Sequence, residues 1–143
     1  MIVGPLLQRI GIAALIAAAL ALIWLTACSR RAAATDFRAE AERLRAQTVP
    51  ADATVDVVEP GAVSSVGSGW SVWEVEGKMD WVTYREWLIE HLREYRFVGK
   101  RDDLTRLAFL RPLPGQNEMW TVSIVPSASN ERRARIEFRV VPE

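Results

Sequence analysis

Apolar and polar residues repeat with two different periods in the C-terminal half of the chain. Residues 70–76, 105–111, 119–125 and 133–141 alternate apolar with polar positions, which predicts four β-strands. After the first of these, residues 81–97 repeat apolar positions every three to four residues, which predicts a helix with one apolar face. Alternation leaves one face of each strand buried and the other wet, which is typical of an antiparallel sheet.

The order of these elements predicts an α+β fold. A β-α-β-β-β run places one amphipathic helix on one face of a small antiparallel sheet. Residues 36–47 are rich in good helix formers and favour a short helix, and residues 54–58 are compatible with a short edge strand. The chain is therefore divided into an N-terminal apolar signal or anchor helix over 1–27, a tether, short helix and loop over 28–69, and an α+β domain over 70–143.

The N-terminal segment contains an uncharged apolar stretch over residues 10–27. Arg9 precedes this stretch, and Arg30 and Arg31 follow it closely. A basic residue, an apolar run and small residues before a cleavage site describe a secretory signal peptide, whereas a spanning helix needs about 20 apolar residues. With 18 residues, the stretch is long for a signal peptide and short for a spanning helix. Length therefore leaves both interpretations open.

A short motif ends this stretch. Leu25-Thr26-Ala27-Cys28 resembles the lipobox of bacterial lipoproteins, in which an aliphatic residue and two small residues precede a cysteine. The resemblance covers residues 1–28 only. It implies cleavage after Ala27, a diacylglyceryl group on Cys28, and membrane lipid as the partner that anchors the domain outside the cytoplasm. Ser29 stands where an aspartate would retain a lipoprotein in the inner membrane, which implies the outer membrane if the cell is Gram-negative.

The alternative is an uncleaved transmembrane anchor. The chain would then be a single-pass subunit of a membrane protein complex, and the apolar segment itself would make the contacts. The distribution of positive charges sets the orientation of such anchors. Here Arg9 and the amino terminus on one side nearly balance Arg30 and Arg31 on the other, so the flanking charges do not decide between the interpretations.

Composition removes several classes of function. The 18 basic and 18 acidic side chains balance, which argues against a nucleic-acid-binding protein. One cysteine and one histidine, His91, leave no disulfide framework and no Cys-cluster or His-pair metal site. His91 falls on the apolar stripe of the predicted helix without a nucleophile or metal-ligand set. We therefore expect no catalytic residues, no metal and no cofactor.

Two features of the predicted sheet point to binding. Trp70 and Trp73 are three residues apart in a strand and so lie on opposite faces, which means that one of them meets solvent, a covering loop or a partner. Arg133, Arg135 and Arg139 form a basic row on the wet face of the last strand. Such a row is suited to lipid head groups or acidic polymers, although a solvated edge explains it as well.

Together these patterns favour one function over another. We expect a lipid-anchored protein of the bacterial cell envelope with a small binding or assembly domain that is not an enzyme. Its expected partners are membrane lipid, through acylated Cys28, and another protein of the envelope. The alternative function is that of an uncleaved single-pass subunit of a membrane complex.

Overall fold

The computed structural model of the chain describes residues 4–64, 68–112 and 118–142, and the side chains of 11–27, 36–64, 68–112 and 118–141. The chain divides into two compact units, Met1–Ala33 and Ala34–Glu143. Helix α1 (Gly4–Thr48) begins in the first unit and ends in the second. The second unit contains the sheet.

In the first unit, every described side chain of α1 is exposed. Among the residues that the structure describes, no helix is long and apolar enough to span a membrane. The predicted signal or anchor segment 1–27 lies partly outside the described side chains, which begin at Gly11, and Cys28 lies outside them as well. The exposed side chains include large apolar ones, namely Ile12, Leu15, Ile16, Leu20, Leu22, Ile23, Trp24 and Leu25.

The second unit is built on an antiparallel sheet, which confirms the predicted α+β class. The strands of its described residues are ordered β1-β2-β6-β5-β4-β3, so that β1 and β3 are the edges and β6 lies in the middle. Helix α2 connects β2 to β3. The elements are β1 (Thr54–Val63), β2 (Gly69–Glu76), α2 (Trp81–His91), β3 (Arg96–Val98), β4 (Leu107–Pro112), β5 (Glu118–Pro126) and β6 (Arg133–Pro142).

The hydrophobic core lies on one face of this sheet, which we call the inner face. Alternation brings Ala134, Ile136, Phe138 and Val140 of β6 to the inner face, as the sequence predicted, and all four are buried. Both helical segments of the unit contribute to the same core cluster. From α1 come Phe37, Ala41 and Leu44, and from α2 and the turn after it come Trp81, Tyr84, Leu88, Leu92 and Tyr95.

The predicted helix over 81–97 is shorter in the structure, because α2 ends at His91. Asp80 caps its start, since the Asp80 carboxylate accepts a hydrogen bond from the Thr83 amide at 2.8 Å. Beyond the helix, a turn in which Tyr95 N donates to Leu92 O at 3.0 Å leads into β3. Leu92 and Tyr95 in this turn are buried. The three- to four-residue spacing of apolar positions therefore continues beyond the end of the helix.

Strand β1 is longer than the predicted 54–58. It continues to Val63 and pairs with β2 through two irregularities, between Val57 and Glu59 and between Glu59 and Ala62. Pro60 lies within the irregular stretch and has no backbone N–H to donate. The lost hydrogen bond destabilises the sheet little here, because β1 is at the edge of the sheet.

Candidate binding surface

The two tryptophans of β2 lie on opposite faces of the sheet. Trp73 is on the inner face with none of its surface exposed, and its indole N–H donates to Thr48 Oγ1 at 2.9 Å. The Arg45 guanidinium lies 5.6 Å from the centre of the Trp73 ring. Trp70 is on the other face and is 39% exposed. Of the two, Trp70 is therefore the one that meets solvent.

Trp70 borders an open groove at one end of the face opposite the helices, which we call the outer face. Trp70 and Arg139 are cross-strand neighbours in the β2–β6 ladder. The cavity has a volume of about 450 Å³. The Trp70 groove, as we name it, is lined by Trp70, Arg139, Ser64, Ser68, Gly69, Ala62, Val63, Val140 and Val141.

The predicted basic row divides into two parts. The guanidinium of Arg133 is held by Glu74, with Glu76 at 3.7 Å and Asp56 at 3.9 Å, and the hydrogen bond to Glu74 raises the pKa of Arg133. Three carboxylates therefore surround this cation, which leaves it poorly placed to attract an anion.

Arg135 and Arg139 share a single carboxylate. Arg139 Nη2 lies 3.0 Å from Glu137 Oε2, and Arg135 Nε lies 3.5 Å from Glu137 Oε1. Two guanidinium groups beside one carboxylate leave a positive excess on this part of the outer face. Of the three arginines, only Arg139 lines the Trp70 groove.

A polar cluster around the buried Glu40 was not predicted from the sequence. Glu40 of α1 is buried, accepts a hydrogen bond from the Tyr95 hydroxyl at 2.7 Å and from Arg43 Nε at 2.8 Å, and has Arg111 at 3.6 Å. Glu94 contacts the same two arginines, at 2.9 Å from Arg43 and 3.4 Å from Arg111. The cluster pairs two cations with two carboxylates and joins the end of α1 to the rest of the unit. Of the contacts in this cluster, only the one between Glu40 and Arg43 joins residues that are close in the sequence, three positions apart.

Burial and hydrogen bonding act in opposite directions on the pKa of Glu40 and in the same direction on the pKa of Tyr95. Burial alone would raise the pKa of Glu40, but the hydrogen bonds from Arg43 and Tyr95 and the charge of Arg111 lower it below its ordinary value of 4.5. Burial, followed by the hydrogen bond to Glu40, raises the pKa of the Tyr95 hydroxyl. At neutral pH the pair is thus a neutral phenol donating to a carboxylate, and this arrangement fixes structure.

Arg85 of α2 is a buried cation. Its guanidinium donates to the carbonyl oxygens of Arg101 at 3.0 Å and Asp103 at 2.8 Å. Trp81 Nε1 donates to the carbonyl oxygen of Leu104 at 2.7 Å. Helix α2 therefore holds the loop before β4 through three hydrogen bonds to its backbone.

His91 is exposed, and its ring stacks on Trp87 with centroids 3.9 Å apart. Its Nδ1 lies 2.8 Å from the Trp87 carbonyl oxygen. Within the part of the chain that the structure describes, no group of three or more His, Cys, Asp or Glu side chains is arranged to hold a metal ion. No protein-family model matches the chain, and no curated protein or solved structure matches it either.

Proposed function

We propose that the chain is a lipid-anchored protein of the bacterial cell envelope whose α+β unit binds another envelope component without catalysing a reaction. The observation that carries the binding role is the exposed Trp70 beside Arg139 in the Trp70 groove. Tryptophan and arginine are the side chains most enriched at binding hot spots. The lipobox resemblance of residues 25–28 supports the anchor.

The chemistry of the groove supports binding rather than catalysis. Its described lining has hydroxyl groups from Ser64 and Ser68 and a guanidinium from Arg139, with apolar side chains elsewhere. A serine nucleophile needs an adjacent general base, and an acid–base mechanism needs a group that titrates near the working pH. The described lining offers hydrogen-bond donors, a cation and an aromatic surface, which together recognise a ligand.

The anchor is tested by replacing Cys28 with alanine. We expect the wild-type protein extracted from membranes to begin at Cys28 and to carry the mass of its acyl chains. The Cys28→Ala variant should keep residues 1–27 and lose lipid modification, while the neighbouring Ser29→Ala variant should be processed normally. An N-terminus at Met1 with unmodified Cys28 in the wild type would favour the alternative, an uncleaved single-pass subunit.

The binding role is tested by placing a photo-crosslinking amino acid at position 70. Val82, on α2, is 53% exposed and provides a matched position away from the groove. We expect irradiation of intact cells to give an adduct from position 70 and none from position 82. Equal yields from the two positions would contradict a binding surface at Trp70.

A further inference from the structure

We propose that the Trp70 groove binds a glycan whose sugar rings carry carboxylates. This inference rests on the proposed function, since it names the ligand class of the same surface. Three properties of the groove support it: an exposed aromatic ring, a guanidinium with free donors, and a pair of hydroxyl groups.

The aromatic ring suits the apolar face of a sugar. The face of an indole carries a partial negative charge, which attracts the slightly positive C–H groups on one side of a pyranose ring. Trp70 is partly exposed on the outer face, and among the described residues no hydrogen bond engages its indole N–H. Both the ring and its N–H are therefore available to a ligand.

The guanidinium of Arg139 selects for negative charge. A guanidinium has five N–H donors, and the contact of Arg139 with a described side chain is the one to Glu137, at 3.0 Å. No carboxylate belongs to the described lining of the groove. A ligand carboxylate would meet the unused donors of Arg139 in a charge-assisted hydrogen bond.

The hydroxyl groups and the size of the groove fit the same ligand. Ser64 Oγ and Ser68 Oγ lie 2.6 Å apart, and sharing one hydrogen leaves the second for a ligand oxygen. The volume of about 450 Å³ falls in the range of about 300–1,000 Å³ that is usual for small-ligand sites.

The geometry disfavours a proline-rich peptide in this position. Such a peptide needs a groove lined by several aromatic rings, and Trp70 is the one aromatic residue of the described lining. A sugar ring can stack on a single aromatic side chain.

The test is a calorimetric titration of the full chain in detergent micelles with a trisaccharide of galacturonic acid. A neutral galactose trisaccharide is the matched ligand. We expect the acidic trisaccharide to bind about tenfold more tightly than the neutral one, because only the acidic sugar pairs with Arg139. Trp70→Ala should weaken both sugars at least about tenfold, and Arg139→Gln should remove the preference for the acidic one.

Arg135→Gln is the matched control, since Arg135 flanks the same Glu137 on the same strand but does not line the groove. It should leave both affinities unchanged. Absence of saturable binding of the acidic trisaccharide, or equal weakening by Arg135→Gln and Arg139→Gln, would overturn the proposal. Binding of a proline-rich peptide that depends on Trp70, in place of the sugars, would also overturn it, yet would leave the proposed binding function standing.

Discussion

Gly69 leaves room for the ring of Phe37, which packs on the inner face. A Cβ atom at position 69 would lie 2.6 Å from that ring, well inside van der Waals contact. The Phe37 ring cannot retreat easily, because it stacks on Phe138 with centroids 4.7 Å apart. A glycine at this point of β2 thus allows α1 to approach the sheet.

Gly69→Ala should therefore destabilise the second unit by about 1–3 kcal/mol, as overpacked core substitutions do. The free energy of unfolding in urea measures this loss. Gly11→Ala is the control, since a Cβ there meets nothing within 4 Å. Equal stability of the Gly69→Ala variant and the wild type would show that Phe37 can move away.

Tyr95 and Glu40 provide a second test at the residue scale. Tyr95→Phe removes the hydrogen bond to a buried carboxylate, and we expect a loss of about 1–3 kcal/mol in the free energy of unfolding. Chemical denaturation at neutral pH measures it. An unchanged midpoint and slope would mean that water or Arg43 replaces the phenol without cost.

The lowered pKa of Glu40 also predicts how the free energy of unfolding depends on pH. Its pKa in the folded state is below the ordinary 4.5, so the unfolded chain binds its proton first as the pH falls. The stabilisation from Glu40 is complete above pH 4.5 and is lost as the pH falls through the folded-state pKa. Glu40→Gln should make the loss of stability below pH 4.5 less steep, whereas Glu42→Gln, at an exposed position on the same helix, should not.

Some of these residues could be predicted from the sequence, and others could not for a physical reason. Period-two geometry alone established that Trp70 and Trp73 face opposite ways, but it did not determine which of them is exposed. The Tyr95–Glu40 bond joins residues 55 positions apart, so no local pattern reports it. The partners of Arg85 are backbone carbonyl oxygens, which a sequence does not display.

At the scale of elements, α2 organises the loop between β3 and β4. Arg85 is 2% exposed and donates to two carbonyl oxygens of that loop. We expect Arg85→Met to keep the packing volume but release the loop, with faster amide hydrogen exchange over residues 99–106 and a loss of about 1–3 kcal/mol. Arg93→Met, at an exposed position just after the same helix, should change neither. Unchanged exchange over 99–106 in the Arg85 variant would contradict this role.

The predicted and observed elements differ in extent at the end of α2 and in the second half of β1. The apolar period of α2 runs on through Leu92 and Tyr95 because the turn after the helix packs on the same core. Strand β1 has little buried surface, so alternation could not mark its second half. Strands β4, β5 and β6, in contrast, have their buried residues on one face, and the alternating sequence pattern predicted these strands.

For the whole molecule, the core provides a prediction about folding. Every residue of the core cluster lies at or after Phe37, within the unit Ala34–Glu143. Deleting residues 1–33 should therefore leave the midpoint of thermal unfolding unchanged, as measured by circular dichroism. Deleting residues 1–48 should prevent folding, because it removes Phe37, Ala41 and Leu44, and core truncations cost about 2–5 kcal/mol for each large side chain. A folded product of the longer deletion would contradict the place of α1 in the core.

The central position of β6 has a consequence for the order in which the chain is made. Strand β6 connects β2 to β5 in the sheet, yet it follows both in the sequence. Before residues 133–142 have left the ribosome, the β1–β2 hairpin and the β3–β4–β5 meander have no strand between them. The edges of β2 and β5 that later pair with β6 are then unpaired. The native sheet therefore cannot form until residues 133–142 have been synthesised.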